Sequence, residues 1–313
     1  MAIMGCMPKM PNISPAGYKL MLFVATVIWG AAFVVMKNAV DILTPAQLVG
    51  VRFFLAGLLM AAIFRKKLRS VLNPGGLRAG AIMGAILFTA FWLQTLGLTD
   101  TSPGKNAFLT ATYCVMVPFL LWAITRRPPG LARVGAAVIC VAGIGLVSLK
   151  PGSIALGFGD GVTLLGAAVF ALEIIAISHF TKTYSAIGIT TVQFLCCGFL
   201  GIFFGFAFEP APDLTAITPD LIVQMAYLIV LSSCVCYICQ NVGLAHVQPS
   251  QGALILSLES VFGVLCSVLF YGEELTAQMI VGFTLIFVAI LISELAPQRS
   301  APEAARPGSP AAQ

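Results

Sequence analysis

Gln94-Thr-Leu-Gly97-Leu98-Thr-Asp-Thr-Ser-Pro103 and Gln240-Asn-Val-Gly243-Leu244-Ala-His-Val-Gln-Pro249 share one spelling, Gln-x-x-Gly-Leu-x-x-x-x-Pro, 146 residues apart. Each stretch joins two long apolar segments. Proline suits the first turn of the helix that follows, where its missing N–H costs nothing and its fixed φ is already helical. A motif repeated at this separation means two copies of one structural unit.

Working outward, both copies are overwhelmingly apolar. Hydrophobic residues make up 59% of the 313, charged residues 9%, and mean hydropathy is +1.00. A soluble domain needs a charged surface that this composition lacks. A membrane span needs about 20 apolar residues at 1.5 Å rise each. Ten segments meet that length, roughly 20–36, 46–64, 77–98, 105–124, 132–149, 161–180, 187–208, 220–244, 250–270 and 276–295. The fold class is therefore all-α and membrane-spanning, because β-barrel strands would be shorter and alternating. The first segment exceeds a signal-peptide core and nine more follow it, so it reads as a retained helix. The expected organisation is a tail over 1–19, a first five-helix repeat over 20–150, a second over 159–295 and a tail over 296–313. Both tails are rich in Pro, Ala and Gly and read as disordered.

Charges orient the chain. With the N-terminus in the cytoplasm, thirteen cations fall inside: Lys9, Lys19, Arg65, Lys66, Lys67, Arg69, Arg78, Arg126, Arg127, Arg133, Lys182, Arg299 and Arg306. Only Lys37, Lys105 and Lys150 fall outside, and Arg52 stays within the membrane. This follows the positive-inside rule and puts both termini in the cytoplasm. Most acids face outward. The net charge of +5 is thus a topology signal and not a nucleic-acid footprint. Thr125-Arg126-Arg127 after the fourth segment corresponds to Tyr271-Gly272-Glu273-Glu274 after the ninth, with opposite charge. Five spans per copy put those two loops on opposite sides, so the copies are inverted. Inverted repeats are a recurrent architecture of secondary carriers, with the solute site at their interface.

Several motifs then resemble one family. Trp29-Gly30-Ala-Ala-Phe33-Val-Val-Met-Lys37, Arg52-Phe53, Ser257-Leu258-Glu259-Ser260-Val261-Phe262 and Gly272-Glu273 are similar to elements of EamA-type members of the drug/metabolite transporter superfamily. Ser260 stands where that pattern has proline, and Arg126-Arg127 stands where Gly-Glu is frequent. The resemblance spans about residues 20–295. It implies ten helices, a cavity lined by helices 1–4 and 6–9, helices 5 and 10 packed outside, and export or exchange of solutes.

Polar groups at the centre of a span cost about 2.5–3.5 kcal/mol on translocon scales, so they should face a cavity or a partner. Three charges qualify. Glu259 in the ninth segment and Glu173 in the sixth are coupling candidates, with structural hydrogen bonding as the plainer role. Small multidrug resistance proteins resemble single repeats with a first-helix Glu, which favours Glu173, although Ala31 occupies the corresponding place in the first copy. Arg52 reads as structural or gating, pairing with a carboxylate, or as an attractor of anions. Asn106, Thr110 and Tyr113 follow i, i+4, i+7 spacing and share one helix face, as do Ser233, Tyr237 and Gln240. With Gln94, Trp29 and Trp92 they are the candidate solute-binding residues. Interhelical hydrogen bonding is the competing use of the polar ones, and lipid packing that of the two Trp residues. Trp122 falls near the interface, where Trp is common. Pro103 and Pro249 open helices, while Pro118 lies inside one and is a hinge candidate. Lys105 at a helix N-terminus reads as an exposed cation or an outer-mouth contact. Gly80-x-x-x-Gly84 and Gly201-x-x-x-Gly205 permit close helix contact, and dimerisation is an open second use.

Other classes fit less well. Cys236-x-x-Cys239 sits mid-span and reads as small packing residues. His179 and His246 have no nucleophile–base set or metal-ligand spacing beside them, which argues against a membrane-embedded enzyme. The loops are too short for a sensor or scaffold domain. No metal site, cofactor or ATP-binding motif is expected. The expected partners are a small polar solute, protons as coupling ion and membrane lipid, in a monomer or homodimer. The expected setting is a bacterial inner membrane. Amino-acid-like efflux is the leading reading, and an uptake carrier of the same fold is the alternative.

Overall fold

The structure is a computed structural model that describes residues 14–126, 128–149, 156–212, 215, 217–244, 246–247 and 249–296, without side chains for 249–251, 253 and 254. Those residues form ten helical rods and no strand: α1 (Pro15–Val40), α2 (Pro45–Ile63), α3 (Pro74–Leu98), α4 (Pro103–Thr125), α5 (Leu131–Ser148), α6 (Phe158–Phe180), α7 (Ala186–Phe208), α8 (Pro219–Leu244), α9 (Pro249–Cys266, continued by a π-helical turn, Ser267–Tyr271) and α10 (Ala277–Leu295). Among the described residues, nine are long and apolar enough to cross a membrane, while α9 carries a shorter apolar stretch, Ile255–Tyr271. A one-turn helix, Arg65–Arg69, follows α2. The observed bounds lie within five residues of those expected from apolar length. The expectations for Arg127, Lys150 and residues 1–13 and 297–313 of the two tails fall outside the described residues, while residues 15–19, expected as tail, form the start of α1.

Starts and stops follow local chemistry. Proline opens α1, α2, α3, α4 and α8. Asn73 and Thr218 accept an N–H of the first turn of α3 and α8. Both α4 and α9 end on a left-handed residue, Arg126 at φ 60° and Gly272 at φ 74°. These are the residues 146 apart that the repeat aligns.

Small residues set the packing. Lipid tails match any apolar side chain, so close backbone approach decides which helices associate. α2 crosses α7 where Gly50, Gly198 and Gly201 leave no room. A Cβ on Gly50 would lie 2.5 Å from the Ile202 nitrogen, and one on Gly198 2.2 Å from the Phe54 nitrogen. α3 meets α6 at Gly97, 2.2 Å from Thr163 Oγ1 by the same construction, and α1 meets α9 at Gly30, 2.5 Å from Phe262 Cβ. α5 and α10 pair through Gly143 and Gly282, away from the centre. Gly80 and Gly84 lie against Val192 and Cys196 of α7, so that motif serves packing within the chain. Outward faces carry exposed apolar side chains, including Val138, Val141, Phe203 and Phe206, as lipid contact demands.

Two helices are irregular. α4 breaks at Thr112, ahead of Pro118. Pro118 has no N–H for the Cys114 carbonyl, and the Ser293 hydroxyl of α10 donates to that carbonyl at 3.4 Å instead. α8 is π-helical from Tyr227 to Val235. Nothing in its composition announced this.

Helix ends segregate by charge. One end of the bundle carries Asp41, Asp100, Asp160, Glu209, Asp220, Glu273 and Glu274, and the other carries Arg65, Lys66, Lys67, Arg69, Arg78, Arg126, Arg133 and Lys182. At the acidic end, carboxylates meet helix N-termini, where unpaired N–H groups and the dipole favour anions. Glu209 accepts from the Ala46 N–H at 3.0 and 3.1 Å. Asp100 accepts from the Gly159 N–H at 3.0 Å. Glu273 accepts from the Gly104 N–H at 3.0 Å and from the hydroxyls of Ser102 and Ser267, tying the end of α9 to the start of α4.

Candidate functional site

Between the crossings lies a cavity of about 100 Å³. Its wall takes Trp29, Ala32, Phe33 and Met36 from α1, Arg52 from α2, Phe91 and Gln94 from α3, and Thr110 and Tyr113 from α4. It is completed by Phe170, Glu173, Ile174 and Ile177 from α6, Ser232, Tyr237 and Gln240 from α8, and Glu259 from α9. No residue of α5, α7 or α10 is in the lining. The resemblance implied that α5 and α10 would stand outside. It also implied that α7 would line the cavity, whereas α7 stands behind the wall and reaches it through Gln193.

All three intramembrane charges open onto this space. Glu173 is buried and accepts a hydrogen bond from Gln193 Nε2 of α7 at 3.0 Å. Gln193 is wholly buried and escaped sequence reading, because nothing local distinguishes it from any other glutamine in a span. Glu259 lies beside Tyr113, Thr110 and Ser257, where a second, smaller cavity joins α4 to α9. Gln94 donates to Thr110 Oγ1 at 3.1 Å, and its buried Oε1 has no protein partner among the described residues.

Arg52 is 1% exposed. Its Nε donates to Ser233 Oγ at 2.9 Å, one terminal nitrogen to Ser232 Oγ at 3.0 Å and the other to Met36 Sδ at 3.2 Å. The rings of Phe53 and Phe91 flank it at 4.8 and 4.9 Å. The expected carboxylate partner is absent: among the described residues the one ion pair within 4.0 Å is Lys105–Asp160. The serine pair lies in the π-helical part of α8. Consecutive residues of a regular α-helix point about 100° apart, yet here Ser232 and Ser233 both reach one guanidinium. The Ser232 carbonyl accepts from Trp29 Nε1 at 2.8 Å, and Trp29 packs edge-on against Tyr237.

Four expectations need correction. Asn106 shares a helix face with Thr110 but lies one turn nearer the acidic end. There its Nδ2 donates to Thr163 Oγ1 at 2.8 Å and to the Gln94 carbonyl at 3.2 Å, in the crossing of α3, α4 and α6 rather than on the cavity. Ser233 sits behind the wall, on Arg52. Trp92 is not in the lining either; it packs with Phe88 and Phe204, and its indole N–H reaches Glu209 at 3.4 Å. Lys105 is neither an exposed cation nor a mouth contact. It pairs at 2.6 Å with Asp160, which is 3% exposed and also takes the Thr101 hydroxyl. Pro103 and Pro249 begin α4 and α9 as expected. The two histidines do not form a joint site: His246 stacks on Tyr18, and the ring contact of His179 is Phe180.

Comparison with known proteins accords with this architecture. The EamA-like transporter family matches residues 17–149 and again residues 157–295. The chain belongs to the EamA-like transporter family. It is 28% identical over 278 residues to an uncharacterized transporter of Archaeoglobus fulgidus, covering 88% of this chain and 84% of that protein. It is 25% identical over 285 residues to a chloroplastic WAT1-related protein of Arabidopsis thaliana, covering 84% of this chain and 66% of that longer protein. A crystal structure 16% identical to it superposes with a TM-score of 0.63, over 90% of this chain and 97% of the other, which speaks for the fold alone. An EamA-like transporter is not an enzyme, and its cargo is a small molecule.

Proposed function

We propose that this EamA-like transporter is a secondary carrier that moves a small polar, amino-acid-like solute out of the cell by alternating access, driven by protons or by exchange. The observation that carries the reading is the central cavity itself, where two carboxyl groups, one guanidinium, amides and aromatic rings from seven helices converge. At about 100 Å³ it is smaller than the several hundred Å³ typical of ligand pockets, so its walls must part to admit a solute.

Two inverted five-helix repeats, residues 20–150 and 159–295, supply the moving halves. The family matches each half separately. Helix pairing also maps onto itself when each helix is exchanged for the one five places on: α3–α6 becomes α8–α1, and α1–α9 becomes α6–α4. Ten spans with both termini and the basic end in the cytoplasm of a bacterial inner membrane agree with the charge segregation. Glu173 and Glu259 are the coupling groups, because each is a carboxyl group held in a cavity where it can exchange a proton with either side. Glutamine at both positions should leave a transporter whose rate no longer varies with pH. Wild-type pH dependence in that double variant would remove both residues from coupling.

The direct test is untargeted mass spectrometry of medium from cells overproducing the chain, against otherwise identical cells that do not make it. Efflux predicts at least one compound enriched outside only with the native protein. Depletion from the medium instead would favour uptake by the same fold.

A further inference from the structure

Arg52 is buried with donors to spare. A guanidinium offers five N–H groups, and the hydrogen bonds described above use three. All three acceptors are neutral, and one is a thioether, a weak acceptor. A cation so far from water is costly unless an anion joins it, yet neither Glu173 nor Glu259 comes within ion-pair distance in the same cavity. Phe53 and Phe91 cover the guanidinium, leaving its edge as the approach. Two contacts preset that edge. Both serine hydroxyls on it come from the π-helical turn of α8, and π-turns inside helices concentrate at functional sites. Trp29 then holds the Ser232 backbone in place.

We propose that Arg52 is the anchor for a carboxylate on the transported solute. Resting on the carrier reading above, this narrows the cargo to small α-amino carboxylates and excludes amines that lack the acid. The planar fork of arginine matches a carboxylate through two parallel hydrogen bonds. The two unused N–H groups are the donors for it, with Ser232 and Ser233 as positioning residues that hold the plane. A dianion such as a phosphate ester is disfavoured, because Glu173 and Glu259 share the chamber. Those glutamates suit the ammonium end of an amino acid instead.

The test uses the full chain purified into lipid nanodiscs and follows thermal unfolding with each standard L-amino acid and with its amide, which keeps the amine and removes the acid. At least one amino acid should stabilise the protein with an affinity about 10-fold or more above that of its amide. Arg52→Lys should weaken that preference, since lysine keeps the charge but not the fork, and Arg52→Gln, which removes the charge, should abolish it. The proposal is overturned if the amide binds as tightly as the acid, if Arg52→Gln keeps the preference, or if no amino acid shifts the transition. Should the variant not fold, the acid-to-amide ratio on the native chain decides alone. Equal binding of acid and amide would end the carboxylate assignment and leave the carrier reading intact. Acid-selective binding without flux in proteoliposomes would do the reverse.

Discussion

Arg126 caps α4 in the left-handed region, where a side chain other than glycine is strained by about 1 kcal/mol. Its counterpart Gly272 takes the same conformation without that strain. Arg126→Gly should therefore raise stability by about 0.5–1 kcal/mol, read as a higher unfolding temperature in detergent, and an unchanged or lower value would refute the strain. Lys105 is a second single-residue case. Its removal leaves Asp160 buried with the Thr101 hydroxyl as its side-chain partner among the described residues, so Lys105→Ala should cost roughly 2–3 kcal/mol, somewhat below a fully buried pair because the lysine is partly exposed. Adding Asp160→Asn should recover much of that loss. No recovery would mean that the pair does not act through charge.

At the scale of helices, backbone clearance rather than side-chain bulk governs the crossings. A Cβ on Gly201 would meet Gly50 Cα at 2.5 Å, with backbone on both sides and no flexible group to yield. Gly201→Ala should destabilise by about 1–3 kcal/mol. Gly135 of α5 has nothing within 4 Å of the same construction, so Gly135→Ala should be neutral or slightly stabilising. Comparable losses at both sites would contradict clearance as the cause. The irregular helices belong to this scale too. The break at Thr112 falls between Thr110 and Tyr113, both in the cavity wall, and the two serines that hold Arg52 lie in the π-helical part of α8.

For the whole molecule, the acidic end holds the carboxylate bridges between helices. Glu209 bridges α7 to α2, Asp100 bridges α3 to α6, and Glu273 bridges α9 to α4. If the carrier works by alternating access as proposed, removing one such bridge should shift its open–closed equilibrium by about 1 kcal/mol, a factor of roughly five in population. With Gln94→Cys as reporter in a background lacking reactive native cysteines, Glu273→Ala should speed labelling by a membrane-impermeant thiol reagent about five-fold, from the side facing the acidic end. Unchanged labelling would mean that Glu273 stabilises the bundle without gating it.

The segment bounds, the all-helical class and the charged polarity of the two ends were legible in the residues alone. A span is dictated by local apolar length, and loop charge follows from which side resists translocation. Most cavity residues were legible too, since a polar group in lipid must turn inward. Which polar groups would meet was not legible. Asn106 and Thr110 share a face, yet depth sends one into a crossing and the other to the cavity. Gln193 finds Glu173 on the neighbouring helix, and Arg52 finds Ser232 and Ser233 about 180 residues away. Every helix here has the same apolar solvent, so partner choice rests on glycine clearance and on hydrogen bonds between distant segments. Only the assembled tertiary structure brings those together.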